Sequence, residues 1–138
     1  MNRVLLTLAI TVLSGSLLFS NPTSAQFVPP AKKVAHVRIT QGPEIELANN
    51  DLTIIRWTSN NPGGSPEHFG VVHYGTDQNL SQTAKSHIRL NQNHSSTIFR
   101  VRMDDLKPRT TYYYRVDSMD AHGTSDGVIS SVKTFTTR

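Results

Sequence analysis

The residues that could do chemistry in this chain are histidines, aspartates and serines, because it contains no cysteine. That absence removes thiolate nucleophiles, thiolate zinc sites and disulfide staples. Asp120-Ala121-His122-Gly123 sets a carboxylate and an imidazole two residues apart, and both can ligate a divalent cation. A two-metal hydrolytic centre needs several more carboxylate, Asn and His ligands converging from separate strand ends, and no residue after Gly123 is placed to supply them. Asp, Gly and Ser are also what a hairpin turn requires, so the segment reads as a loop. Of the six histidines, His36, His68, His73, His87, His94 and His122, none forms a close pair spaced for chelation. His68 and His73 are nearest, but an odd separation on a strand places them on opposite faces. They read as scattered surface residues. No serine stands in a strained Gly-x-Ser-x-Gly elbow. These patterns imply no catalytic residue, no metal ligand set and no cofactor.

The elements that position these side chains must come from one small domain. The chain has 138 residues, 36% of them hydrophobic and 17% charged, which suits a single globular unit with a modest core. Part of the apolar content lies in an amino-terminal address. Arg3 precedes the apolar stretch Val4 to Phe19, and a polar segment with small residues at Thr23 and Ala25 follows. At 16 residues the stretch falls short of the roughly 20 that a spanning helix needs. Residues 1–25 are expected to be a signal peptide cleaved after Ala25, giving a secreted or periplasmic protein with no membrane span after cleavage; the alternative is an uncleaved anchor. Residues 26–34, with Pro29-Pro30, read as a short stiff linker, and residues 35–138 as the folded domain. Arg3 is the one charged residue of the leader, so its loss takes the net charge from +4 to +3. Such mild charge, without a run of like residues, gives no support for nucleic-acid binding.

After the linker, apolar residues recur at every second position in short runs separated by Gly, Pro, Asn and Asp, the pattern of antiparallel strands with one buried face. The first run, His36 to Thr40, sets Val37 and Ile39 on one face and is interrupted by Gly42-Pro43, as an edge strand is. The second, Leu52 to Thr58, alternates Thr53, Ile55 and Trp57 inward with Ile54, Arg56 and Thr58 outward. Trp57 is the expected core anchor, and Trp57→Ala should cost about 3 to 5 kcal/mol. The turn cluster Asn60 to Pro66 leads into Phe69 to Tyr74, with Val72 and Tyr74 inward and Val71 and His73 outward. Leu80 and Ser86 to Leu90 read as an edge strand with its loop. Thr97, Phe99, Val101 and Met103 then alternate with Ile98, Arg100, Arg102 and Asp104. In Leu106-Lys107-Pro108-Arg109-Thr110-Thr111-Tyr112 a tyrosine stands at the mouth of a strand, where a buried phenol can bond to backbone just upstream. Tyr114 and Val116 follow on the same face, and Val128 to Thr136 makes the last strand. The expectation is an all-β, immunoglobulin-like sandwich of two sheets and seven strands, with Ile55, Trp57, Tyr74, Val101, Leu106, Tyr112 and Tyr114 in its core.

The Trp57 strand, the string from Leu106 to Val116 and the closing Phe135-Thr136-Thr137 resemble a fibronectin type III domain. More narrowly, His36-Val37-Arg38-Ile39-Thr40, Ile55-Arg56-Trp57-Thr58, Val72-His73-Tyr74-Gly75-Thr76, the corner string and Val132 to Thr137 resemble the amino-terminal sandwich of purple acid phosphatases. That resemblance implies a fold without an activity, since the family's two-metal hydrolysis of phosphate esters resides in a separate carboxy-terminal domain. The type III arrangement puts the first, second and fifth strands in one sheet. Arg38, Arg56, Arg100 and Arg102 would then share its outer face beside Ile54 and Ile98. One reading is a solvated sheet whose arginines pair with Glu44, Glu46, Asp51 or Asp104. The other is a face that docks an anionic partner or a neighbouring domain. The chain is thus expected to be an exported, monomeric, non-catalytic module that binds an unspecified protein or cell-surface partner. The alternative is an accessory or remnant domain of a purple acid phosphatase-like enzyme.

Overall fold

The computed structural model describes residues 32–48 and 52–138. The expected leader, residues 26–31 of the linker and Asp51 lie outside the described residues. Seven strands form in chain order: β1 (Ile39–Ala48), β2 (Leu52–Asn60), β3 (Glu67–Gly75), β4 (Gln82–Arg89), β5 (Ser96–Met103), β6 (Thr111–Asp120) and β7 (Lys133–Thr136). They build a three-stranded sheet in the order β1-β2-β5 and a four-stranded sheet in the order β4-β3-β6-β7. Every neighbouring pair is antiparallel, and no helix occurs among the described residues.

Alternation in the sequence dictates which side chains meet between the sheets. Ile55 and Trp57 of β2 lie opposite Val101 and Phe99 of β5, and all four are buried. Trp57 and Phe99 stack with centroids 5.1 Å apart. Val72, Tyr114 and Val116 close the core from the facing sheet, with Tyr74, Leu106 and Phe135 partly buried against it. The Lys107 amide donates to the phenol oxygen of buried Tyr112 at 2.9 Å, and the Tyr112 ring stacks on Phe135 at 5.6 Å. This corner ties the β5–β6 crossover to the core, satisfying a polar tip while its ring is buried.

Several details differ from the sequence expectation. The edge strand β4 begins at Gln82 rather than Ser86 and ends at Arg89. Instead of ending at Gly42-Pro43, β1 runs through it to Ala48, with register shifts between Ile39 and Gln41 and between Gln41 and Glu44. Gly42 makes this course with φ +81°, and a Cβ there would lie 2.9 Å from the Arg56 carbonyl oxygen. The irregularity thus adds residues to an edge strand without ending its pairing. The last strand is shorter than expected, Lys133–Thr136. Upstream of it the Ser130 hydroxyl takes the Val116 amide at 2.9 Å, a side chain replacing a main-chain ladder partner. Val71 alternates to the outer face as expected, yet it is fully buried.

Candidate functional site

The outer face of the β1-β2-β5 sheet is set by register. One cross-strand row is Glu44, Arg56 and Arg100, and the next is Glu46, Ile54 and Arg102. Arg56 Nη1 lies 2.9 Å from Glu44 Oε1. Arg100 forks onto both oxygens of Glu46, Nε at 3.0 Å and Nη2 at 3.2 Å, while Arg56 Nε stands 3.9 Å from the same carboxylate. Arg102 Nε donates to Asp104 Oδ1 at 2.6 Å. The fold therefore brings Arg56, Arg100 and Arg102 together with three carboxylates, a charge-balanced lattice in which each exposed pair contributes about 0 to 1 kcal/mol. Ile98, 47% exposed, stands at the edge of this lattice on β5, opposite Thr58 and two residues before Arg100. Arg38 is separate. It precedes β1, its amide is held by Asn60 Oδ1 at 2.6 Å, and it forms no ion pair among the described residues.

A second polar cluster closes one end of the sandwich. His68, 1% exposed, places Nδ1 at 2.9 Å from the Ser65 carbonyl oxygen and Nε2 at 3.4 Å from Asp126 Oδ1. The other Asp126 oxygen accepts from the Ser118 hydroxyl at 2.6 Å, and Lys33 Nζ lies 3.5 Å from Asp126 and 3.9 Å from Asp120. Burial alone would raise the Asp126 carboxyl, but hydrogen bonds from His68 and Ser118 and the charges of His68 and Lys33 outweigh it, and the group sits below its usual value. The residue types are those of a hydrolase triad, but the arrangement is not. The carboxylate stands between the other two groups, so the imidazole makes no bond to the serine hydroxyl and cannot take its proton. The cluster is a clamp joining the Lys33 segment, β3 and the loop after β6.

His68 corrects the reading of all six histidines as surface groups. Its signal was parity, since Gly70 and Val72 point inward from the same strand and His68 shares their face. Asp120 and His122 build no ligand set: the Asp120 carboxylate accepts the His122 and Thr124 amides at 2.9 and 3.0 Å, which makes a turn. Among the described residues no three His, Asp or Glu side chains converge on a common point, and no helix there is long and apolar enough to cross a membrane. An open groove of about 450 Å³ runs between Val37 to Pro43 and Gly127 to Lys133, bridged where Lys133 Nζ donates to the Pro43 carbonyl at 2.8 Å.

No curated protein matches the chain. The family model described as the purple acid phosphatase N-terminal domain matches residues 40–137, a span that runs from within β1 to just past β7. The chain belongs to this family.

Proposed function

We propose that this member of the purple acid phosphatase N-terminal domain family is an exported, non-catalytic module of fibronectin type III type that binds another protein through the outer face of its three-stranded sheet. The observation that carries the reading is Ile98, an exposed aliphatic side chain beside Arg56 and Arg100, which internal carboxylates hold in place. Arginines fixed before binding lose less side-chain entropy on contact, and their stems extend the apolar area around Ile98. The charge balance favours a partner surface of mixed sign over a purely anionic one. Partners crosslinked to the mature exported chain supply the test. Ile98→Asp should weaken a genuine contact about tenfold or more, since a buried aliphatic side chain contributes roughly 1.5 to 3 kcal/mol, while leaving the melting temperature unchanged. A crosslinked partner set identical for wild type and Ile98→Asp would refute this use of the face.

Family membership favours a second reading, an accessory domain that packs beside a phosphatase catalytic domain. In that case the purified chain, assayed on a phosphomonoester with added divalent metals, shows no turnover, yet it raises the thermal stability of a purple acid phosphatase catalytic domain when mixed with it. Turnover by the chain alone would refute both readings.

A further inference from the structure

We propose that the opposite face of the sandwich carries a second site, in which His73, Lys85 and Arg115 together receive a carboxylate side chain from an acidic protein partner. This goes beyond the docking face above and does not depend on it. On the outer surface of the four-stranded sheet, His73 of β3 is directly opposite Arg115 of β6. Lys85 of β4 pairs with Val71, which places it diagonal to His73 on the same face. Like charges brought this close repel one another and are ordinarily offset by a neighbouring acid.

Here that acid is committed elsewhere. Asp117, two residues beyond Arg115 on the same face, accepts the Ser125 hydroxyl at 2.9 and 3.1 Å and the Ser118 amide at 2.7 Å. Glu67, the other carboxylate of this face, is taken by His87 and Arg89. Among the described residues, His73, Lys85 and Arg115 make no side-chain hydrogen bond and no ion pair, and Arg115 Nε is buried with no acceptor. A buried donor without a partner calls for an explanation. Arg56 Nε on the first sheet is likewise buried without a hydrogen-bond partner, so the contrast lies in the ion pairs. Arg56, Arg100 and Arg102 each reach a carboxylate of the fold, and Arg115 reaches none among the described residues. Burial and then Arg115 lower the pKa of the His73 imidazole, Asp117 opposes them, and Lys85 adds the smallest lowering.

The surroundings select the source of the anion. Half-buried Tyr113, Phe69 and Met119 flank the three basic groups on this face, and rings beside cations match a protein surface with an acidic residue at its centre. A lipid surface would require a broader plane of cations, whereas this face also carries Glu67 and Asp117.

Titration of the protein with a hexaglutamate peptide at low salt, followed by amide and imidazole NMR, tests the proposal. Shifts are expected at His73, Lys85 and Arg115, and His73 should titrate at higher pH in the complex. Arg115→Gln should weaken binding about tenfold, the effect of removing one hydrogen bond to a charged group, and Lys85→Gln by several-fold. Neither change should lower the melting temperature, because neither side chain has a hydrogen-bond or ion-pair partner to lose and each removes a repelling charge, and either variant suffices should the other fail to fold. Shifts centred on Arg100 and Arg102, affinity unchanged in both variants, or binding to phosphatidylglycerol vesicles with none to the peptide would each overturn it.

Discussion

Replacing Gly70 with alanine should destabilise the domain, although glycine within a strand is normally a residue to improve. Gly70 sits mid-way along β3 opposite Ser118 of β6. A Cβ placed on it would lie 3.0 Å from Trp57 Cη2, 3.0 Å from Val101 Cγ2 and 3.2 Å from Phe99 Cδ1. The backbone there permits an L-residue, so reduced freedom of the unfolded chain alone would favour alanine by about 0.4 to 1 kcal/mol. Overpacking acts against it at about 1 to 3 kcal/mol. The second effect should win, because the neighbours cannot yield: Trp57 is stacked on Phe99, and Val101 is fully buried. A net loss of about 1 to 2 kcal/mol lowers the melting temperature of a domain this size by roughly 5 to 15 °C. Thermal unfolding followed by circular dichroism and by fluorescence of Trp57, the only tryptophan, reads this directly. In a double-mutant cycle, Val101→Ala should reduce the cost of Gly70→Ala, since one of the three contacts is then gone. A Gly70→Ala protein that melts at or above the wild-type temperature would show that the sheets can separate slightly at this point and that the close approach is not required.

Two further outcomes follow from the buried polar groups. Tyr112→Phe keeps the ring stacked on Phe135 but removes the acceptor of the Lys107 amide, so urea unfolding should show a loss of about 1 kcal/mol; an unchanged midpoint would mean that water replaces the phenol at no cost. Asp126 is held below its usual carboxylate value, so its contribution is fully present above the pKa of the unfolded chain and disappears as pH falls through the lower folded value. Asp117 acts oppositely, because burial, outweighing the bonds from Ser125 and Ser118, raises it, and its protonation in acid relieves a cost. Asp126→Asn should therefore be less stable than wild type at pH 7 and should approach it as the pH is taken below the ordinary carboxylate range. Parallel stability curves across that range, measured by urea midpoints, would show that the clamp of His68, Asp126 and Ser118 carries no charge-dependent energy.

Period-two alternation made the inner faces of β2 and β5 legible residue by residue, because every second position of a half-buried strand turns inward, and there Ile55, Trp57, Phe99, Val101 and Met103 recur. The Tyr112 corner was equally legible, since its partner lies five residues upstream and the motif is local. What escaped were features created when distant segments meet. Gly70 carries no side chain to signal that an indole fills its space. His68 looks polar in isolation, and only Ser65, Ser118 and Asp126 make its burial affordable. The course of β1 depends on Gly42 adopting a positive φ against the Arg56 carbonyl, which a Gly-Pro pair in a sequence cannot distinguish from a strand end.

By itself the chain determined its class and its filling: strands because of alternation, a sandwich because seven short strands had one apolar face each, and a core around Trp57 and Tyr112 because those rings had no other way out of water. Only the tertiary structure decided which charges are satisfied. Arginines look alike along a strand, but the assembled sheet gives Arg56 and Arg100 acids from β1 and Arg102 one just past the end of β5, and leaves Arg115 beside His73 and Lys85 without one. Electrostatic energy depends on distances of a few ångströms between residues far apart in sequence, and those distances exist only once the sheets have formed.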